Sequence, residues 1–458
     1  MIHPKNEGIL IVGAGCFGVS TAYHLLQRGY TNVTVVDRAE TLPAPDGGSN
    51  DLNRIVRSSY SDVFYTQLAR EAIASWKNRE IWGDTYHESG VLVLGASGSG
   101  EQTYADDSYK NDVSCGAHVQ LLDVEDAVRA VFPDTVVTGA FKGPAFFNYD
   151  GGWANAGKGT ARLIEHVRTL GAKVISSKGV KRLLRQNGRT TGIECTDGSI
   201  FNASLVILAT GSWTPSAFPE LDLGQICLAT GQCVAMVQLT EEEAGVYKDS
   251  PVVLDFSSGF YIFPPNEQNV VKVAIHAAGY AHYEGSNPAI STPRTSTSHP
   301  TDGLLIPRAA LEALRSHLRD LYPELAEKPF SGTRLCWYGF FISIRVAQRN
   351  PNPDGNPIAP RYNDSPDGDW VIGRYPMDES LILATAGSGH AYKFLPVIGK
   401  LVADLVEDKM EPELAAKFAV NREVSKKDLS RAGDVLTLNL DELCVPEDLQ
   451  PKKAVAAA

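Results

Sequence analysis

The stretch that most constrains the fold is residues 8–37, GILIVGAGCFGVSTAYHLLQRGYTNVTVVD. ILIV is an unbroken apolar run, as a strand buried on both faces requires. Gly13, Gly15 and Gly18 then spell G-x-G-x-x-G. VSTAYHLLQRG reads as a helix closed by Gly29, and NVTVVD as a second strand ending in Asp37. Strand, glycine loop, helix, strand and acid, in that order, make the βαβ fingerprint of a dinucleotide site. Gly13 permits the tight turn, Gly15 lets backbone approach a pyrophosphate, and Gly18 lets the helix close on the strand. The helix N-terminus offers free N–H groups and partial positive charge to phosphate. Asp37 is placed to accept from a ribose hydroxyl. A Rossmann-like α/β domain holding an adenine dinucleotide is predicted.

The segment further along decides which dinucleotide. GVKRLLRQNGRTTGIECTDGSIFNASLVILATGSWTP sets short alternating strands around Asn187-Gly188 and Asp197-Gly198 turns. It ends in the buried strand LVILATG. NAD-binding domains normally continue with βα units instead. A β-meander followed by A-T-G is the pattern of two-dinucleotide-domain flavoproteins, so FAD is the expected cofactor. GGWANAGKGTARLIEHVRTLGAKV, ahead of the meander, supplies a helix and a strand of the same sheet.

A chain of 458 residues is long enough for two domains. GQCVAMVQL, PVVLDF, GFYIFPP and NVVKVAIHAAGY are separate strands, and PRAALEALRSHLRDLYPEL is an amphipathic helix. They predict an antiparallel-sheet α+β substrate domain, joined by HESGVLVLG. The expected division is discontinuous. Residues 1–60, 150–218 and 331–435 form the FAD-binding domain, and 61–149 and 219–330 the substrate domain. Residues 339–363 read as an inserted loop, and 436–458 as a C-terminal tail. EGSNPAISTPRTSTSHPTDG is a polar loop with no core-forming pattern.

The net charge of −12 argues against a nucleic-acid or anionic-membrane surface. Seven scattered cysteines, with no C-x-x-C, argue against a disulfide framework or a metal site. No apolar run approaches the length of a membrane span. The N-terminal run is too short for a signal peptide. The C-terminal KKAVAAA does not read as a peroxisomal S-K-L address. A cytosolic monomer is the expectation. Within TRLCWYGF, Cys336 stands alone in an apolar run, where core packing is the ordinary explanation of a thiol.

GAGCFG, NDLNRIVRSSYSD, GFYIFPP, VKVAIH, RLCWY and GSGHAYKFLPVIG occur in this order. Together they resemble the FAD-dependent secondary-amine oxidases: monomeric sarcosine oxidase, pipecolate and saccharopine oxidases, and the fungal fructosyl amino acid oxidases (amadoriases). The resemblance spans nearly the whole chain and implies a D-amino-acid-oxidase-like two-domain architecture. It implies that Cys336 carries FAD through a thioether to the flavin 8α carbon. It implies that Arg57 and Lys393 clamp a substrate carboxylate, the guanidinium by a bidentate fork and Lys393 as a point charge. Lys272 would lie near flavin N5 to activate oxygen, with His276 and Tyr261 lining the pocket over the flavin and Arg54 in the catalytic set. Gly387 and Gly389 would let backbone amides reach the flavin carbonyls, and Val180, Gly211, His390 and Lys393 join the cofactor set. ATAGSGHAYKFLPVIG reads as a strand turning through glycines into a helix whose dipole favours reduced flavin. Amadoriases tend to carry a small polar residue at the position of Arg57, so a simple secondary amino acid is expected rather than a fructosyl adduct.

Some of these residues also speak for themselves. Arg54 and Arg57 are three apart and would share a face in a helix or tight turn. A solvated basic face is the ordinary explanation of such a pair. Lys272 and His276 fall on one face of a strand by period two. A lone histidine is as often structural as catalytic, whereas lysine on an apolar strand face is rarely buried unpaired.

The implied reaction takes an R–NH–CH group to an imine, with O2 reduced to H2O2. The substrate reacts as the free amine, and deprotonating an amine of pKa near 10 at neutral pH costs roughly 3–4 kcal/mol. Arg57, Lys272 and Lys393 lower that cost by disfavouring another cation, and no base is obligatory. Two features depart from the family. About two dozen residues after RLCWY look inserted, as a lid or as a gene-model artefact, and GRYP replaces a more common acid-x-His-Pro. The competing readings are an amadoriase, a biosynthetic N-methyl amino acid oxidase, an NAD-dependent dehydrogenase and an inactive flavin-binding protein.

Overall fold

The computed structural model describes residues 3–96, 103–141, 143–284, 290–341, 367–423, 431 and 433–451. A six-stranded sheet runs Val371–Tyr375, Asp378–Thr385, Leu205–Leu208, Ile9–Val12, Val33–Val36, Lys173–Ile175. All its pairings are parallel except the first. Ile9–Val12 is buried throughout because alternate side chains feed different cores. Ile9 and Ile11 pack with residues of the helices Cys16–Gln27, Ala156–Thr169 and Ile398–Val406. Leu10 and Val12 pack with Leu183 and Ile193 of the meander. That meander is the expected one: Val180–Gln186, Arg189–Cys195 and Ile200–Asn202, antiparallel in sequence order. Asn187 and Gly188, at φ 53° and 78°, make its first turn.

The second layer is a ten-stranded, mostly antiparallel sheet containing HESGVLVLG as Val91–Leu94. Strand Cys227–Gln238 lies between Val270–Ile275 on one side and Gly332–Phe341 on the other. Helix Arg308–Leu321 covers the sheet with Leu311, Leu314, Leu318 and Leu321, a stripe at helical spacing.

Three placements refine the sequence-based division. Gly332–Phe341 falls in the stretch assigned to the FAD domain, yet it pairs with Cys227–Gln238 of the large sheet. Residues 339–341 continue that strand, so chain pairing runs past the expected loop start; the rest of the loop lies outside the described residues. Leu436–Thr437 pairs with Tyr280–Ala281, tying the tail to the same sheet. Among the described residues no helix is long and apolar enough to cross a membrane.

Candidate active site

The glycine loop does what its spacing requires. Gly13 has φ +110°, and a Cβ there would stand 2.4 Å from the Ala209 carbonyl oxygen. A Cβ on Gly18 would stand 1.9 Å from the Gly13 carbonyl oxygen. Both sites exclude any side chain. The N–H groups are shared out more finely than the motif suggests. Ala14 donates to Asp37 Oδ2 at 2.8 Å, and Cys16 donates to Ser49 Oγ at 2.8 Å. Asp37 Oδ1 accepts from the N–H of Ala39. Each Asp37 oxygen keeps a second lone pair for a ribose hydroxyl. Among the described residues the N–H groups of Gly15 and Phe17 have no acceptor within the protein. Two open donors at a helix start suit a pyrophosphate.

These residues lie along one long cleft of about 1390 Å³, its open mouth included. Gly13, Gly15, Asp37, Val180, Gly211, Gly387, Gly389 and Arg54 all line it, as does the strand stretch Trp337 to Gly339. Gly211 and Gly389 have φ +57° and +66°, which keeps side chains out of the lining there. The size, the glycine walls and the free N–H pair fit FAD.

At one end of the cleft stands a buried charge cluster. Arg54 is ion-paired with Asp51, and its guanidinium lies 5.6 Å from the Tyr338 ring centroid. Lys272 is fully buried and donates to Asp51 Oδ2 at 2.8 Å and to the Asn53 carbonyl. Cys336 Sγ is 3.9 Å from Asp51 Oδ2 and 4.0 Å from Arg54 Nη2. Burial raises the Asp51 pKa, but Arg54, Lys272 and Arg334 outweigh it and hold the carboxyl well below its usual range. Burial pulls Lys272 down to about 8 even against the attraction of Asp51. Tyr261 is held far above the usual phenol pKa, chiefly by burial.

A second group adjoins it. Arg57 packs over Tyr60 and Phe256, at 4.5 and 5.1 Å to the ring centroids. It is only 6% exposed, and its Nη1 has no hydrogen-bond partner. Lys393 donates to Tyr60 Oη at 2.8 Å and to the His390 carbonyl at 3.1 Å. Burial, then Arg57 and Arg54, pull its pKa well below that of an ordinary lysine. His276 and His390 are likewise depressed, by burial and by this excess of cations.

The tertiary structure therefore gathers Arg54, Arg57, Tyr261, Lys272, His276, Cys336 and Lys393. Three local expectations change. Arg54–Val56 is a strand rather than a helix or tight turn, so Arg54 and Arg57 face apart and serve separate groups. The turn after Asp378–Thr385 leads first into a single 3-10 turn, Ala391–Phe394. The α-helix starts only at Ile398, beyond Pro396, so its dipole does not begin at the glycines. His390 does not line the cleft; its ring engages Tyr60 Oη through Nδ1 at 3.1 Å and the Gly368 carbonyl through Nε2 at 2.8 Å.

Asp51, Tyr60, Asp112 and Ser49 were missed. Asp51 sits three residues before Arg54 and Tyr60 three after Arg57, a spacing that could have flagged both. Asp112 accepts from Ser58, Ser59 and Asn148 behind the Arg57 segment, and nothing local announces it.

A Rossmann-like cleft that ends in buried cations under a mostly antiparallel sheet defines a two-domain flavoenzyme. The chain belongs to the FAD dependent oxidoreductase family, whose model matches residues 8–405. It is 26% identical over 431 residues to L-saccharopine oxidase of Schizosaccharomyces pombe, covering 89% of this chain and 92% of that one. It is 23% identical over 424 residues to N-methyl-L-tryptophan oxidase of Escherichia coli O157:H7, covering 90% and 98%. The solved fructosyl peptide oxidase from E. terrenum superposes with a TM-score of 0.80 at 27% identity, covering 97% of this chain and 98% of that one. The protein is a flavin-dependent oxidase acting on the CH–NH group of amines.

Proposed function

We propose that this oxidase acts on a secondary α-amino acid, N-alkyl or cyclic, whose carboxylate is held between Arg57 and Lys393. The observation that carries the reading is the Arg57 guanidinium: buried, with Nη1 unpartnered, beside the amine of Lys393, which has no carboxylate within ion-pair distance among the described residues. A buried guanidinium with an unpartnered nitrogen is costly, and a bound carboxylate relieves that cost. FAD held along Gly13, Gly15, Asp37, Gly387 and Gly389 would supply the hydride acceptor and the route of the electrons to O2. The chain's own groups do the rest. Arg57 fixes the carboxylate and so orients the C–H bond, while Tyr261 and His276 close the pocket. Lys272 supplies the buried cation that favours reduced oxygen.

We also propose that Cys336 tethers the flavin. It directly precedes the cleft-lining stretch Trp337 to Gly339, and Arg54 Nη2 lies 4.0 Å from its sulfur, with Arg334 and Lys272 also acting on it. The thiolate is the reactive form in such an attachment.

Spectra of the purified protein before and after acid precipitation test the tether. Yellow colour in the pellet supports it, and colour released to the supernatant refutes it. A peroxide assay across sarcosine, L-pipecolate, saccharopine, N-methyl amino acids and fructosyl-valine then identifies the substrate. Turnover confined to fructosyl-valine would sink the simple amino acid.

A further inference from the structure

Lys393 is described above as one half of a carboxylate clamp, yet its surroundings suit a neutral amine. The hydrogen-bond chain around it has one consistent direction. The Gly368 carbonyl can only accept, so His390 Nε2 carries the proton and Nδ1 is the bare nitrogen. Tyr60 Oη therefore donates to Nδ1, and its oxygen accepts from Lys393 Nζ. The His390 carbonyl accepts a second bond from Nζ. Two acceptors satisfy the two N–H bonds of an uncharged amine and leave its lone pair over.

The charges around Nζ agree with the hydrogen bonds. No carboxylate lies within ion-pair distance of it among the described residues. The titratable groups that act on it are Arg57 and Arg54, from strand Arg54–Val56 and the residue after it, and Cys16 from the helix Cys16–Gln27. Tyr60 and His390 bond to its chain, and His276 shares its field from the large sheet. Burial strips Nζ of the water that would hold a charge, and Arg57 and Arg54 add repulsion against a proton there.

A substrate carboxylate reverses that field. Resting on the clamp reading, we propose that Lys393 is the proton acceptor for the substrate: the bound zwitterion gives its ammonium proton to Nζ. The carboxylate creates the proton affinity, and the same molecule carries the proton that meets it. One N–H bond of the substrate breaks and one forms on Lys393. No electrons change hands, and the net charge of the site is unaltered. The substrate nitrogen is left with the lone pair that hydride loss requires, and the lysine becomes the charged clamp only then.

Two ligands of nearly equal shape separate this from a permanently charged lysine. Pivalate and 2-aminoisobutyrate differ by a methyl in place of an ammonium, and neither has a C–H on the carbon next to the carboxylate. Binding to the FAD-loaded enzyme at pH 7 is measured by titration calorimetry in buffers of different ionisation enthalpy. Pivalate should draw about one proton from the buffer by linkage, and 2-aminoisobutyrate none. Pivalate binding without uptake overturns the proposal and leaves the clamp intact. Failure of both ligands to bind overturns the clamp itself. Lys393→Arg keeps a clamp cation that cannot accept a proton. It should bind pivalate without uptake, and its anaerobic flavin-reduction rate should rise about tenfold per pH unit toward the amine pKa, against a shallower rise in the wild type. Parallel profiles for the two proteins would also overturn it.

Discussion

Replacing Asp51 by asparagine removes the carboxylate that stands between Arg54 and Lys272. Both cations are buried, so water cannot take its place. Breaking a buried ion pair from one side costs about 3–5 kcal/mol. The two cations share that cost unequally. Lys272 can escape by losing its proton, and with a pKa of about 8 that escape at pH 7 adds only about 1.4 kcal/mol. Arg54 has no such escape and bears the larger share. The native pKa of Lys272 lies below its ordinary value of 10.5. Stability therefore rises with pH between the two values, and in the variant this rise begins at a lower pH. At pH 9 the wild-type lysine is already neutral, so the difference between the proteins shrinks by about 1.4 kcal/mol. For 458 residues the unfolding entropy is about 1 kcal/mol per degree near 60 °C. The expected drop in Tm is thus about 3–5 °C at pH 7, and roughly 1.4 °C less at pH 9. Scanning calorimetry at one fixed scan rate reads it. A drop under about 1 °C, or an equal drop at both pH values, refutes the charge-balance argument.

Arg57→Ala should raise KM for the preferred amino acid about 10- to 150-fold, the worth of a charge-assisted hydrogen bond; an unchanged KM would rule out the clamp. Cys336→Ser should bind FAD that leaves with the supernatant on acid precipitation, whereas colour kept in the pellet would mean attachment elsewhere. Oxygen reactivity of the reduced enzyme should decline as pH rises through about 8, where Lys272 loses its charge. Lys272→Met should already be slow at pH 7, and stopped-flow reoxidation traces compare the two. Gly18→Ala forces a Cβ to within 1.9 Å of the Gly13 carbonyl oxygen, so the purified variant should carry little or no flavin by absorbance.

The readable parts of this chain are those whose physics is local. Gly13 and Gly18 announce a turn and a helix–strand approach that no side chain allows, and flanking apolar runs say which strand and helix meet there. The meander was legible through its Asn187-Gly188 turn for the same reason. The facing of Arg54 and Arg57 was not legible because their spacing suits several backbones, and pairing of Arg54–Val56 with Gly152–Ala154 chooses the extended one. His390 belongs to a sequence run that suggests cofactor contact, but Tyr60, 330 residues away, and Gly368 take up its ring.

By itself the sequence determined a βαβ dinucleotide site, a flavoprotein meander and a second, mostly antiparallel sheet. Only the tertiary structure decided how the charges of the site balance. Lys272 and Asp51 are 221 residues apart, and Cys336 and Asp51 are 285 apart. Lys272 and Cys336 meet because their strands flank Cys227–Gln238 on opposite sides, in a register set by all three strands together. That geometry gives Lys272 a carboxylate and, among the described residues, leaves Lys393 without one. Burial and a partner's sign decide whether a lysine holds its proton, and both are properties of the folded neighbourhood rather than of the residue.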